Sequence, residues 1–164
     1  MAECKYEIFL LAESGGIGKT SLLKRYTENE FKFQEMHLST VGLDMGKKIT
    51  KLKNGKTVQL KILETASQER FRFPIRLLKV AHGIILLYDI TDLDSFKRLD
   101  GWISMIKENA TKDPVIYLVG NKIYLEEKRV VSKEMGEKLA KEKGIFFSEI
   151  SVKKDIMSMN FLKI

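Results

Sequence analysis

The chain has 164 residues, 44% of them apolar, a formal charge of +7 and a single cysteine, Cys4. This length supports one substantial core, so we expect a single domain over residues 1–164, and one cysteine excludes both an internal disulfide and a zinc site built on cysteines alone. Because no run approaches the roughly eighteen apolar residues of a membrane span and no signal-like leader precedes Ile8, we expect a cytoplasmic protein.

The first predicted strand leads into a glycine-rich loop. Residues 8–11 form an apolar run of buried-strand type, and residues 21–26 continue as a helix. Between them, residues 13–20 read Glu-Ser-Gly-Gly-Ile-Gly-Lys-Thr, which meets the phosphate-loop template G-x-x-x-x-G-K-[ST] in all but its first position. Such a loop offers backbone N–H groups, a lysine and a hydroxyl to phosphate and Mg²⁺. A tight strand-to-helix connection is the alternative, but the order strand, loop, helix favours a nucleotide site.

A predicted hairpin carries a cluster of positive charge. After an irregular polar stretch over residues 29–44, strands are predicted over residues 49–52 and 57–63, joined by an Asn-Gly turn at residues 54–55. Five lysines surround the turn: Lys47, Lys48, Lys51, Lys53 and Lys56. No aromatic residues interleave with them, and lysine on an exposed ribbon usually protects an edge strand, so we expect no nucleic-acid partner.

Helices and strands then alternate. A helix is predicted near residues 70–79, which Pro74 must either join in its first turn or break, and a buried strand is predicted over residues 83–89. Apolar residues recur at helical spacing at positions 96, 99, 103 and 106. They predict a helix of about four turns, capped by Asp94 or Ser95.

The last predicted elements are a strand over residues 115–120, a helix that begins after Ser132 and ends at Gly144, and a strand over residues 146–150. Strands that alternate with helices indicate an α/β fold with a mostly parallel sheet. Ligands of such sheets bind beyond the carboxyl ends of the strands, where the glycine-rich loop is expected.

Further segments resemble motifs of the Rab branch of the Ras-like small GTPases, and the resemblance extends over essentially the whole chain. Residues 39–42 (Ser-Thr-Val-Gly) resemble switch I, residues 64–72 resemble switch II, and residues 118–122 (Leu-Val-Gly-Asn-Lys) resemble the guanine motif. Residues 151–153 stand in place of the last base-contacting loop, and residues 88–92 are a further family-like stretch. The resemblance implies the P-loop small GTPase fold, with a six-stranded, mostly parallel sheet, one antiparallel strand and helices on both faces.

The resemblance also implies roles for matching residues. GTP or GDP would be bound by Ser14, Gly15, Gly16, Ile17, Gly18, Lys19, Thr20, Ser21, Asn121, Lys122, Ser151, Val152 and Lys153. Mg²⁺ would be held by Thr20, Thr40 and Glu64, and catalysis would involve Gln68, Thr40 and Lys19. Phosphoryl transfer rests on positioning a water and compensating charge, so the presence of Thr40 and Gln68 is compatible with hydrolysis.

Four residues depart from the family pattern. Glu13 replaces a glycine, and it costs little if its carboxylate points away along the strand axis but much if it faces the phosphates. Glu64 replaces an aspartate and predicts weaker metal binding, because Mg²⁺ demands near-ideal geometry. Ser67 replaces a hinge glycine and predicts impaired switching. Tyr124 replaces the aspartate that pairs with guanine and predicts reduced guanine preference.

The surfaces for partners differ as well. Met45 and Leu63 stand where Rab proteins typically have aromatic residues, although the resemblance still implies effectors and regulators at the switch regions. The family continues through a long last helix to prenylated cysteines, whereas this chain stops at Ile164. We therefore expect a truncated last helix, one module of a longer protein, or a form that works without its own anchor. Any contact with vesicle membranes would be peripheral, indirect or made through sequence not present here.

Three functions are compatible with these residues. The first is a divergent Rab-like switch that binds GTP and GDP with Mg²⁺ in vesicle trafficking and hydrolyses GTP slowly. The second is a pseudo-GTPase, a protein-interaction module that works without nucleotide. The third is the use of another nucleotide.

Overall fold

A six-stranded sheet is the frame of the chain in the computed structural model, which describes residues 4–13, 15–28, 43–65 and 75–154. Its strands are β1 (Cys4–Ala12), β2 (Leu43–Lys51), β3 (Thr57–Thr65), β4 (Gly83–Asp89), β5 (Val115–Asn121) and β6 (Phe146–Glu149). The spatial order is β2-β3-β1-β4-β5-β6. Only β2 and β3 pair antiparallel among these strands, and the other neighbours are parallel. The predicted sheet is confirmed.

Helices cover both faces of the sheet. They are α1 (Lys19–Glu28), α2 (Ile75–Leu78), α3 (Leu93–Lys97), α4 (Leu99–Asn109) and α5 (Lys133–Lys143). Successive side chains of a strand point to opposite faces. On β1, Ile8 and Leu10 therefore pack with α1, whereas Phe9 and Leu11 lie in the core cluster of α4 and α5. The chain that follows β1 therefore leads to the face of the sheet that α1 covers.

Strand β2 is longer than predicted. It begins at Leu43, inside the stretch expected to be irregular, and pairs with β3 from Leu43 opposite Thr65 to Lys51 opposite Thr57. The apolar alternation there is limited to Leu43 and Met45, and pairing with β3 extends the strand. Gly46 allows β2 to pack closely on α1, because a Cβ at that position would lie 2.8 Å from the Leu23 Cδ1 atom.

The predicted four-turn helix is divided at Arg98 into α3 and α4, and its cap is Asp92 instead of Asp94 or Ser95. The carboxylate of Asp92 accepts hydrogen bonds from the backbone N–H groups of Asp94 (3.0 Å) and Ser95 (3.2 Å). The two residues predicted as caps are therefore the ones whose backbone N–H groups the actual cap, Asp92, satisfies. Their prediction was wrong because three neighbouring polar residues compete for the position and the sequence does not distinguish among them.

The remaining helix predictions have mixed outcomes. Ser132 caps α5 by accepting from the Met135 N–H, and Gly144 ends it in the left-handed conformation (φ 66°), as predicted. The helix expected near residues 70–79 is described only as α2, and its Pro74 lies outside the described residues. No helix in the described ranges is long and apolar enough to cross a bilayer.

Candidate functional site

The glycine-rich loop lies at the carboxyl end of β1, where the sequence placed it. Gly16 (φ 75°) and Gly18 (φ 107°) adopt left-handed backbone conformations that favour glycine. A Cβ at Gly18 would also lie 2.5 Å from the Nδ2 atom of Asn121. The loop therefore needs glycine for both its turn and its packing. Of the predicted loop residues, Ser14 lies outside the described part of the chain.

Asn121, at the end of β5, ties three segments together. Its Nδ2 donates to the Ile17 carbonyl at 2.7 Å, and its Oδ1 accepts from the Val152 N–H at 3.3 Å. The side chain is buried, so both bonds are shielded from water. The structure thus brings the predicted loop, the predicted guanine motif and the 151–153 loop together at the carboxyl ends of the strands. Asn121 fixes their spacing.

A lysine, a hydroxyl and a carboxylate meet at the start of α1. Lys19 is only 4% exposed, and its burial lowers the pKa of the ammonium group, an effect that the nearby Glu64 carboxylate partly reverses. The Thr20 hydroxyl donates to the Glu64 Oε1 atom at 2.6 Å. Glu64 lies at the end of β3 and is 1% exposed. Two of the three predicted Mg²⁺ ligands are therefore adjacent.

This donor set fits a polyphosphate with its divalent ion. Hydroxyl and carboxylate oxygens are the hard ligands that Mg²⁺ takes in proteins, usually a few per site beside water and phosphate. A buried ammonium group needs a negative partner to remain charged, and phosphate is one. The glycine turn ahead of Lys19 leaves no side chain between the loop backbone and such an anion at Gly16 or Gly18.

Glu13 points to the face of the sheet opposite α1. Its Oε1 accepts from the Nη1 atom of Arg98 at 2.9 Å, and its Oε2 accepts from the indole Nε1 of Trp102 at 2.8 Å. Of the two orientations that the sequence left open, the structure has the one that directs the carboxylate away from the loop interior. Trp102 is buried, and the sequence predicted neither its bond to Glu13 nor that of Arg98. A buried indole N–H usually finds an acceptor, which is the one signal that pointed to a partner.

Lys122, the second residue of the predicted guanine motif, is anchored by Asp89. Its Nζ lies 2.6 Å from the Asp89 Oδ2 atom, and its backbone is left-handed (φ 70°). The other Asp89 oxygen accepts from the backbone and the hydroxyl of Thr91 at 2.8 and 2.7 Å. Asp89 was not among the predicted site residues, although the family-like stretch at 88–92 contains it. Its buried charge fixes the direction of the Lys122 side chain.

Tyr124 and Lys153 lie together at the expected base end. The Lys153 Nζ lies 5.1 Å from the centre of the Tyr124 ring, within the range of a cation–π contact. In the same loop, the buried Ser151 hydroxyl accepts from the Lys154 N–H at 3.0 Å, and Val152 is buried. Ser151 and Val152 therefore shape the loop from inside, while Lys153 is exposed. Ser21, in α1, is half-buried.

The switch residues are not described. Thr40, Ser67 and Gln68 lie outside the described ranges, so their predicted roles stay predictions. Of the two positions expected to lack aromatic residues, Met45 is exposed on β2 and Leu63 is buried in the core. The described residues thus include those predicted to contact the phosphates and the base, and not those predicted to form the switches.

Comparisons with known proteins agree with this arrangement. The family model for the Ras family matches residues 8–163. Ras-related protein Rab-26 of Rattus norvegicus is 43% identical over 149 residues, which are 90% of this chain but 57% of the relative. Ras-related protein Rab-13 of Bos taurus is 41% identical, over 90% of this chain and 71% of the relative. Ras-related protein Rab-10 of Caenorhabditis elegans is 40% identical, over 92% and 74%. The chain thus spans little more than half the length of the rat relative. Its match to the family model and these identities show that it belongs to the Ras family and is Rab-like.

Proposed function

We propose that this domain binds GTP and GDP with Mg²⁺ and acts as a molecular switch in vesicle trafficking, with slow hydrolysis of GTP to GDP and phosphate. One observation carries the proposal: buried Lys19 lies beside the Thr20–Glu64 pair at the end of a loop that has the backbone of a phosphate cradle. Membership of the Ras family supports it. Residues 1–164 would form one domain of this kind, or one module of a longer protein.

The phosphates would be held by the loop backbone and Lys19, and the metal by Thr20 and Glu64 together with Thr40 of switch I. Bound Mg²⁺ would offset the negative charge of the phosphate oxygens and help to orient them. Lys19 is already desolvated, so its charge would act on the phosphates with little screening by water. Gln68 would position the attacking water, as the family resemblance implies.

Slow hydrolysis follows from two substitutions. Glu64 has one more methylene than aspartate, so its carboxylate, which accepts from the Thr20 hydroxyl at 2.6 Å, would lie closer to the metal than an aspartate carboxylate and disturb its geometry. Ser67 restricts the backbone of the loop that must close on the γ-phosphate. Both changes act on the geometry of closure and of the metal more than on the grip of the phosphate loop. We therefore infer that nucleotide binding is retained better than turnover.

Guanine preference is reduced under this proposal. An aspartate at position 124 would accept hydrogen bonds from two guanine N–H groups, whereas a phenol has one oxygen that both donates and accepts. A phenol does not reject adenine in the way that a carboxylate does. Tyr124 is thus the residue that supports the third possibility, the binding of a nucleotide other than GTP or GDP.

The alternative is a pseudo-GTPase that works as a protein-interaction module without nucleotide. The observation that favours it is the contact between Lys153 and Tyr124, because the two side chains pair with each other at the place expected for the base. In both proposals, effectors and regulators would bind at the switch regions. The protein would be cytoplasmic and peripheral to vesicle membranes.

Nucleotide release separates the two functions. Freshly purified protein is denatured and the released nucleotide identified by chromatography, and melting temperatures are then measured with Mg²⁺ and GDP, GTP or ATP. A ligand that binds the folded state alone must raise the melting temperature. Bound nucleotide and a thermal shift that Lys19→Met loses, but Lys24→Met on the same helix keeps, would support the switch. An empty site without a thermal response would leave the interaction module.

Turnover needs a second measurement. Single-turnover hydrolysis is compared between the unaltered chain and Gln68→Leu. A slow rate that falls further in the variant would assign the activity to this site. Equal rates would show that the hydrolysis comes from elsewhere, even if nucleotide binds.

A further inference from the structure

The Glu13 carboxylate is a negative charge built into the phosphate loop. Along β1, Phe9 and Leu11 point to the α4 face, and Glu13 continues this alternation. Its side chain is 14% exposed, and each oxygen binds a different donor, Arg98 at 2.9 Å and Trp102 at 2.8 Å. Both oxygens are thus held on the side of the sheet that α1 does not cover.

Only one of these two donors carries charge. The indole of Trp102 orients the carboxylate but leaves it as a full negative charge, whereas the guanidinium of Arg98 compensates it. The bond to Glu13 is the main cause that raises the pKa of Arg98, and the charges of Asp94 and Asp92 add to it. Like every guanidinium, the Arg98 side chain is cationic at physiological pH.

Arg98 lies at the junction of α3 and α4, and its side chain is 57% exposed. An exposed ion pair contributes little to folding stability. We therefore look for the effect of the Arg98 charge in the electrostatics of the neighbouring loop. Without Arg98, the carboxylate would be an uncompensated charge in a partly desolvated position close to any phosphates bound by the same loop, where repulsion is weakly screened.

We propose that Arg98 is a positioning residue of the phosphate site, which acts through Glu13 by neutralising its carboxylate and holding it away from a bound polyphosphate. This assigns a nucleotide-binding role to a residue outside the loop, the switches and the base motifs. The proposal rests on the nucleotide binding proposed above. It also explains how a loop with glutamate at its first position can bind an anion.

The test measures the dissociation constant of Mg²⁺–GDP for variants of the full chain. Arg98→Ala is expected to weaken binding about tenfold or more, because one unit charge is left uncompensated. Arg98→Lys, which keeps the charge, is expected to stay within about threefold of the unaltered chain. Lys97→Ala is the matched control, since it removes the same charge from the adjacent residue. Melting temperatures without nucleotide report any loss of folding.

The decisive experiment asks whether removal of the Glu13 charge restores the binding that Arg98→Ala loses. Adding Glu13→Gln to Arg98→Ala keeps an oxygen for Trp102 but removes the negative charge, and it is expected to restore binding to within about threefold. Adding Glu13→Asp is expected not to restore it. A merely structural role for Arg98 would not distinguish these two double variants. The proposal would be wrong if Arg98→Ala and Lys97→Ala had equal affinities for GDP. It would also be wrong if adding Glu13→Gln to Arg98→Ala restored no affinity. If the unaltered chain bound no GDP, the proposed function would fail first, and this inference with it.

Discussion

The Thr20 hydroxyl donates to the Glu64 carboxylate across 2.6 Å and so joins the first turn of α1 to the end of β3. Both residues are predicted metal ligands, and the longer side chain of glutamate reaches the hydroxyl directly. The hydroxyl donates its hydrogen and keeps its lone pairs for a metal, but the longer glutamate carboxylate lies close to the place that the metal would take. This contact links the Glu64 substitution to the strength of Mg²⁺ binding.

Glu64→Asp is expected to raise the apparent affinity for Mg²⁺ about threefold or more. The shorter carboxylate would retreat from Thr20 and leave room for a metal with its water ligands. Glu64→Gln is expected to lower the affinity at least about tenfold, because a neutral amide attracts a divalent cation weakly. The measurement is the rate of nucleotide dissociation across a Mg²⁺ titration. Glu7→Gln, on β1, is the control for loss of a carboxylate, and equal Mg²⁺ midpoints for all variants would refute the role of Glu64.

Tyr124→Asp is expected to increase the preference for GDP over ADP at least about tenfold. The carboxylate accepts from two guanine N–H groups and repels the adenine ring nitrogen at the same place. Competition of each nucleotide against a fluorescent GDP analogue measures the preference. Tyr124→Phe is the matched control, since it keeps the ring beside Lys153 and removes the hydroxyl. A preference unchanged by Tyr124→Asp would show that this side chain does not meet the base.

Much of the fold and the phosphate end could be predicted because their signals are local. The apolar run before Glu13 and the spacing of Gly18 and Lys19 define strand, loop and helix within a few residues. The early start of β2 could not be predicted, because residues 43–48 hold only two apolar residues, Leu43 and Met45, and owe their extended backbone to the pairing with β3.

Contacts between residues that are far apart in the sequence could not be predicted either. Glu13 and Arg98 are 85 positions apart, and their bond depends on the packing of α4 against the sheet. The sequence offered both orientations of Glu13, and the alternation along β1 decides between them only once the start of the strand is known. The pairing of Lys122 with Asp89 arises in the same way, from the neighbouring ends of β4 and β5.

Tyr88→Phe is expected to leave the melting temperature at pH 7 unchanged or higher. The Tyr88 hydroxyl is buried and has no hydrogen-bond partner among the described residues, so its removal relieves a desolvation cost. Burial raises the pKa of this phenol, and the charge of Glu149 adds to the effect while Arg129 opposes it. The folded state therefore keeps the proton that the unfolded chain loses above about pH 10, and stability falls as the pH rises beyond that value.

The same variant tests the pH dependence. Urea unfolding is measured at pH 7 and at pH 11 for the unaltered chain and for Tyr88→Phe. The loss of stability between the two pH values is expected to be smaller in the variant, since one group that ionises on unfolding is absent. An equal loss in both proteins would mean that Tyr88 is not linked to alkaline unfolding.

Gly136→Ala is expected to destabilise the domain by about 1–3 kcal/mol, although alanine is the better helix former. Gly136 lies in α5, and a Cβ there would lie 2.4 Å from the Phe147 Cε2 atom and 2.8 Å from the Tyr88 hydroxyl. Tyr88 belongs to the buried core cluster and the partly buried Phe147 packs against it, so a new methyl group must displace packed side chains. Glu137→Ala, at the next and exposed position, is the control and should change stability by less than about 0.5 kcal/mol.

The crowding at Gly136 also predicts how the two core variants combine. If the alanine Cβ collides partly with the Tyr88 hydroxyl, then Tyr88→Phe removes that collision, and the double variant should be more stable than the sum of the single effects indicates. The ring of Phe147 would still obstruct the Cβ, so recovery should be incomplete. Denaturant unfolding of all four proteins measures the coupling. Strict additivity would mean that Phe147 alone keeps position 136 free of a side chain.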